Sequence, residues 1–206
     1  MKHIRPAIAL TLFFVVLTGL LFPGLVWAVG RVVFPEQAGG SLIRDAHGNV
    51  IGSALIGQNF TSPKYFHPRP SAAGAGYDAA NSSGTNLGPT SDKLINGVKD
   101  DPATKDLDET FLGYRDLAKM YREENGLAAD AEIPADAATR SGSGLDPEIS
   151  PANAELQAAR VARERGVSVE LVRRVIADNT SGRWAGFSGE PRVNVLRANL
   201  ALDQVK

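Results

Sequence analysis

The chain has 206 residues, 22 Lys and Arg against 23 Asp and Glu, a net charge of −1 and no cysteine. Near-zero charge removes any electrostatic case for binding nucleic acid or an anionic lipid surface. The lack of cysteine removes disulfides, thiol catalysis and cysteine-bound metal.

An uncharged apolar run comes first. From Pro6 to Gly30 there is no Asp, Glu, Lys or Arg, and only Thr11 and Thr18 carry hydroxyls. As a helix, residues 7–30 span about 36 Å, against a hydrocarbon core of about 30 Å. A cleaved secretory signal is the rival reading. Lys2 and Arg5 form a basic start, Val26-Trp27-Ala28 is a passable cleavage site, and Pro23-Gly24 would break the helix before it. The run is long for a signal, whose apolar part covers about 7–15 residues. Either way the remainder crosses the membrane. Lys2 and Arg5 favour a cytoplasmic N-terminus, while Arg31 and Arg44 weaken that bias. The expected division is a cytoplasmic stub at 1–6, a transmembrane helix at 7–30 and an extracytoplasmic domain at 31–206.

Apolar runs at 41–44 and 50–56 flank Asp45-Ala46-His47-Gly48-Asn49 and predict a β-hairpin. Gly52 and Gly57 suggest a bulge or a close backbone approach. Residues 58–91 show almost no periodicity and read as a long loop, with Phe60, Tyr65, Phe66 and Tyr77 arguing against simple disorder. Thr90 or Ser91 caps a short helix carrying Leu94, Ile95 and Val98. A stronger helix spans 111–125, with Tyr114, Leu117, Ala118 and Tyr121 on one face and Gly126 at its end. Residues 127–148 read as a linker. Ser150 caps a helix with Pro151 at its first position, running to Arg165 and stopping at Gly166. Ser168 caps the next, which carries Leu171, Val172, Val175 and Ile176. The segment 193–202 suits a strand or a helix capped by Asn194. The fold class is therefore α+β: one N-terminal transmembrane helix, then a single domain with a hairpin sheet and several helices.

Catalytic signals are sparse. His47 falls in the hairpin turn and His67 in the aromatic loop, and neither belongs to a metal-binding helical pair. Ser141-Gly142-Ser143-Gly144 is too short for a nucleophile elbow. A Ser-His-Asp set remains the alternative, as a membrane-anchored extracytoplasmic serine hydrolase. No phosphate-binding loop is present, and Ser83-Gly84-Thr85-Asn86-Leu87-Gly88 reads as a turn. Asp100, Asp101, Asp106, Asp108 and Glu109 read as solvated charge or helix-start charges. Asp146, before Pro147, suits a structural turn through Ser143, Gly144 and Leu145, its carboxylate bonding nearby amides. Loops of this kind suit protein contact, and Arg69, between Pro68 and Pro70, is the best anchor candidate.

Ordered along the chain are Leu17-Thr18-Gly19, Phe22-Pro23, Phe34-Pro35 and Gly40-Ser41-Leu42-Ile43. Gly52-Ser53-Ala54-Leu55-Ile56-Gly57-Gln58-Asn59-Phe60 and Tyr65-Phe66-His67-Pro68-Arg69-Pro70-Ser71-Ala72 follow. Then come Asn86-Leu87-Gly88-Pro89-Thr90-Ser91, the 141–150 run, Arg160-Val161-Ala162 and Val193-Asn194-Val195-Leu196. Nearly end to end, the chain resembles the C subunit of the Kdp-type ATP-driven potassium importer, the KdpC family. Thr85 replaces the family's usual Ser, and 99–126 is a longer insert than the shortest members carry.

The resemblance implies an uncut span in the cell (inner) membrane and a non-catalytic accessory subunit of a P-type ATPase complex. Its partners would be a channel-like potassium-translocating subunit and an ATP-hydrolysing subunit. No firmly bound cofactor is implied. The family is described as a catalytic chaperone that raises the ATP affinity of the ATPase subunit, and Gln58 is the position expected to meet nucleotide if contact is direct. Thr18, Gly19, Phe22, Pro23 and Gly24 are expected to pack the stem against neighbouring spans, with a kink at Pro23-Gly24. Gly57, Gln58, Phe60, Tyr65, Phe66, Arg69, Pro70, Ser71 and the 86–91 loop (Asn86, Leu87, Gly88, Pro89, Thr90, Ser91) are expected to face the channel-like subunit.

Overall fold

A computed structural model describes residues 2–45, 47–98 and 111–205. The chain divides into two compact units, 1–53 and 54–206.

The first unit opens with a continuous helical run, Ile4–Val33, of mean hydropathy 2.3 and with no buried residue. It is long and apolar enough to cross a membrane, and it extends beyond the 7–30 apolar core at both ends. Helix α1 (Ile4–Val16) passes through a single π turn (Leu17–Leu21) into α2 (Phe22–Val33). The break expected at Pro23-Gly24 is absent. Pro23 lacks an N–H, and the irregularity this imposes is absorbed one turn earlier, where Phe22 N–H reaches Leu17 O. Thr18 Oγ1 donates to Phe14 O at 2.7 Å, so its hydroxyl is satisfied inside the helix. A short helix α3 (Pro35–Ala38) follows.

Strands β1 (Leu42–Arg44) and β2 (Val50–Ser53) form the expected antiparallel hairpin, pairing Leu42 with Ser53 and Ile43 with Gly52. A register shift between Ile43 and Arg44 places the bulge beside Gly52. The Asp45 carboxylate organises the turn, accepting from His47 N (2.8 Å) and Asn49 N (2.9 Å). The second strand ends at Ser53, short of the expected Ile56.

In the second unit, residues 54–91 contain no helix or strand, as their lack of periodicity predicts. Ser91 caps α4 (Asp92–Asn96), its side chain accepting from Leu94 N. Val98 lies outside this helix and pairs with Phe111. Helix α5 (Tyr114–Asn125) therefore starts three residues later than expected. Gly113 is its extended N-cap, held by the Asp116 carboxylate, and Gly126 closes it in the left-handed region. The acidic residues between 100 and 109, and with them the first part of the expected insert, residues 99–110, lie outside the described residues.

The 127–148 linker contains one unexpected turn of helix, α6 (Ala135–Ala138), and ends in β3 (Glu148–Ile149). Helix α7 (Pro151–Arg165) begins and ends as the sequence predicts, and α8 (Val169–Asp178) begins as predicted, with Ser150 and Ser168 accepting from Asn153 N and Leu171 N. The two readings of the C-terminal segment both hold, in succession. Strand β5 (Arg192–Asn194) leads into α9 (Val195–Gln204), with Asn194 as the cap. Strand β4 (Thr180–Ser181) completes a three-stranded antiparallel sheet of order β3-β5-β4, which the sequence did not reveal. The core gathers Ile149, Val161, Val172, Ile176, Val193, Val195 and Leu202 around Phe66, a loop residue that is 0% exposed.

Candidate functional site

Residues 63–71 have no strand partner, so side chains supply their hydrogen bonds. Asn199, on α9, accepts from Phe66 N (2.8 Å) and donates to Phe66 O (3.0 Å). Gln157, on α7, does the same to His67, at 2.7 and 3.0 Å. Two amides thus imitate a β-ladder across adjacent residues. Arg160 lies one turn beyond Gln157 and is 1% exposed. Its guanidinium donates to Pro63 O, Tyr65 O (2.9 Å), Asn125 Oδ1 (2.9 Å) and Gln157 Oε1 (2.8 Å). Burial pulls its pKa down, with Glu124 opposing. The network continues through Asn153, which bonds Gln157, the Tyr121 hydroxyl and Asp136. Burial and the nearby Asp136 hold the Tyr121 hydroxyl protonated, with its pKa raised.

Arg69 turns inward. Its Nη1 meets Asp146 Oδ2 at 2.9 Å, and Nη2 approaches Arg140 O at 3.3 Å. Asp146 also accepts from Glu148 N, fixing the turn before β3. Tyr77 donates to Arg69 O, and burial raises its pKa. Ser71 Oγ donates to Gly144 O at 2.7 Å. Gly144 sits at φ +68, and a Cβ there would lie 2.7 Å from Ser83 O and 2.8 Å from Ala73 Cβ. The 141–147 turn is therefore the spine against which the long loop folds. Gly57 also packs on it, its N–H donating to Leu145 O.

The expected interface residues separate into two groups. Phe66 and Gly57 are buried, Arg69 is paired, and Ser71 is bonded inward. Tyr65 is half-buried, its hydroxyl on Asp203 (2.9 Å) and Arg165 stacked over its ring at 4.8 Å. Phe60, Gln58 and Pro70 are half-buried. Asn86, Gly88, Pro89 and Thr90 stand exposed, while Leu87 and Ser91 are half-covered. Sequence reasoning missed Asn153, Gln157, Arg160 and Asn199. Their spacing (153, 157, 160) on the face that carries Ala154 and Val161 was the available signal.

A cavity of about 360 Å³ opens between this loop and α5, lined by Phe60, His67, Arg69, Tyr77, Met120 and Glu124 among others. His67 Nδ1 lies 2.8 Å from Glu124 Oε1, and Nε2 lies 3.0 Å from Ser62 O. Both ring nitrogens are thus engaged, and neither meets a serine hydroxyl. His47 is exposed in the hairpin turn. Among the described residues no group of three or more His, Asp and Glu side chains could hold a metal ion.

The His67 hydrogen bond lowers the Glu124 pKa, and burial opposes this. A carboxylate with a depressed folded pKa contributes stability above its unfolded value, near 4.3, and that contribution fades as pH falls through the lower folded value. Glu124→Gln is expected to flatten the pH dependence of the urea midpoint below about pH 4.5. Because Glu124 is partly exposed, the loss at neutral pH is about 1 kcal/mol or less.

The comparisons with known proteins concern the whole chain. The family model described as "KdpC: K+-transporting ATPase, c chain" matches residues 4–204, the apolar helix included. Proteins named potassium-transporting ATPase KdpC subunit are 50% identical in Mycobacterium tuberculosis over 99% of both chains. In Caulobacter sp. one is 51% identical over 98% of this chain and 94% of its own. A third, from Koribacter versatilis, is 48% identical over 98% of this chain and 94% of its own. At this identity, and over this length, the chain belongs to the KdpC family, the c chain of K+-transporting ATPases.

Proposed function

We propose that this chain is a non-catalytic accessory subunit that stabilises an ATP-driven potassium import complex. The observation that carries the reading is the family match over an apolar helix and a folded unit together. A family segment that includes the whole helix supports a retained span rather than a cleaved leader. Lys2 and Arg5 support a cytoplasmic N-terminus, with residues 31–206 on the opposite face of the cell membrane. The partners are the channel-like potassium-translocating subunit and the P-type ATPase subunit.

The inward bonding of Arg69 and Ser71 moves the weight of the interface to the exposed loop from Asn86 to Thr90. Its shape is set by Asn86 at φ +53, a left-handed conformation that asparagine tolerates. The clamped aromatic loop and the Ser143–Pro147 turn serve as its platform.

The catalytic-chaperone role of the family is carried here without contact to nucleotide. The Ser83–Gly88 run does not fit a phosphate cradle, because Gly84 packs its backbone against Gly142. A unit outside the membrane acts on cytoplasmic ATP affinity by binding one conformation of the pump better than another. Gln58 then contributes to the loop platform rather than to a nucleotide site.

Purification of the tagged chain from native membranes in mild detergent tests the reading. The expected result is co-elution of two further subunits with potassium-stimulated ATP hydrolysis. Pro89→Arg with Thr90→Arg is expected to lower the yield of both subunits at least about fivefold, as like-charge or desolvation penalties of a few kcal/mol at an interface do. Recovery of the wild-type chain alone would overturn it.

A further inference from the structure

The ring of His67 is met by two acceptors. Nδ1 lies 2.8 Å from Glu124 Oε1, on α5, and Nε2 lies 3.0 Å from the carbonyl oxygen of Ser62. A carbonyl oxygen accepts and never donates, and an ionised carboxylate does the same. Glu124 is held ionised, since the hydrogen bond from His67 pulls its pKa below the ordinary value. A neutral imidazole carries one N–H, and only the imidazolium carries two. The two contacts are therefore hydrogen bonds at the same time only when the ring is protonated. The side chain is 17% exposed, so water has little access to replace a lost partner.

The two contacts are unequal. A bond from Nδ1–H to a carboxylate is charge-assisted and about twice as strong as one between neutral groups. A ring that gives up one proton therefore keeps the one on Nδ1, and its Nε2 points a lone pair at Ser62 O. That oxygen also closes a turn, accepting from Tyr65 N at 3.0 Å. After the turn the chain is fixed, because Arg160 donates to Pro63 O and Tyr65 O, and Asn199 and Gln157 clamp Phe66 and His67. Before it, Asn59, Phe60 and Thr61 line the same cavity as Leu117, Met120 and Glu124 of α5. Phe60 leans on Tyr65, with ring centroids 5.4 Å apart. Loss of the Ser62 contact thus loosens Thr61 and Ser62 rather than detaching the whole segment.

The other groups around the pair hold their charge. Arg69, Tyr77 and Tyr121 line the same cavity, and Arg160, on α7, acts on Glu124 through its charge. Arginine stays cationic, and Arg69 is paired with Asp146. Burial raises the pKa of both tyrosines, and Asp136 of α6 adds to this at Tyr121. Imidazole is the one side-chain type on this wall that ordinarily changes charge between about pH 5 and 8.

We infer that His67 is a proton-operated catch: its imidazolium ties the 59–62 segment to α5 through Ser62 O and Glu124, and loss of the Nε2 proton loosens that segment. The catch is closed in acid and slack above neutral pH, and it does not depend on the role proposed above.

The chain has no cysteine and three histidines, His3, His47 and His67. His3→Gln with His47→Gln leaves His67 as the sole imidazole. Thr61 is exposed, so Thr61→Cys in that background gives one site for a nitroxide label. Nitrogen-15 resonances of His67 in the full chain in detergent are expected to show protons on both ring nitrogens at about pH 5.5, and on Nδ1 alone at about pH 8.5. The label at position 61 is expected to reorient at least about twofold faster at the higher pH. With His67→Gln added, its mobility is expected to be equal at the two pH values. A ring with a single proton at the lower pH, or one that keeps its last proton on Nε2, would overturn the inference. So would equal label mobility at both pH values with His67 present, or an unchanged pH response after His67→Gln. The resonances are read on the native histidine, so they decide the question even where His67→Gln fails to fold.

Discussion

Arg160→Met is expected to lower the stability of the C-terminal unit by about 3–5 kcal/mol, the range for disrupting a buried, hydrogen-bonded charge. The methionine fills the space of the aliphatic stem but donates nothing. Pro63 O, Tyr65 O, Asn125 Oδ1 and Gln157 Oε1 then remain inside without their donor. Each unmet buried acceptor costs about 1–3 kcal/mol, partly relieved by local relaxation. For a unit of this size the loss corresponds to a melting temperature lower by about 6–20 °C. Thermal unfolding of the full chain in detergent, followed by far-ultraviolet circular dichroism, reads it. Arg160→Lys keeps the charge but replaces a planar fork with three donors on one nitrogen. It is expected to recover less than half of the loss. A full recovery would mean that charge, rather than the geometry of the fork, holds the loop.

Asn199→Leu is expected to cost about 2–4 kcal/mol, because it leaves both Phe66 N–H and Phe66 O unpaired beside the core. A second readout separates this loss from general weakening. Hydrogen exchange at the Phe66 and His67 amides is expected to accelerate far more than exchange in α8, whose bonds are its own. Gln157→Leu should produce the same local signature at His67 and a comparable global loss, since its amide also bonds Arg160 and Asn153. The double variant is expected to fall short of the sum, because the two clamps grip adjacent residues. Equal acceleration along the whole chain in either single variant would remove the case for a local clamp.

The helices of the C-terminal half were legible because their ends are written in side-chain chemistry. Ser150 and Pro151 start α7, Gly166 ends it, and Ser168 starts α8. The hairpin was legible from its Asp45 and Gly48 turn. The short strands were not, since two-residue pairings such as Glu148-Ile149 with Val193-Asn194 carry no period. The inward face of α7 misled for a different reason. Asn153, Gln157 and Arg160 are polar, so hydrophobic periodicity assigns them to solvent. They are buried because the loop they face brings bare backbone groups into the core, and only polar side chains can satisfy those. The inward pairing of Arg69 was hidden by the same blind spot. Proline on either side does make it rigid, but its partner, Asp146, lies 77 residues away and is chosen by the fold. The loop from Asn86 to Thr90 was readable as a surface feature because nothing in its composition demands burial.

The amide clamps also set an order of events during synthesis. Phe66 is paired with a residue 133 positions downstream, and His67 with one 90 positions downstream. Contacts of that separation close late, after long stretches of intervening chain have been restrained. Until α9 has emerged, the loop has no ladder and Phe66 has no core to enter. The N-terminal helix, by contrast, is complete within the first 33 residues. The chain is thus moored before it is folded, and its last ten residues of helix act as the latch that admits the middle of the sequence to the native state.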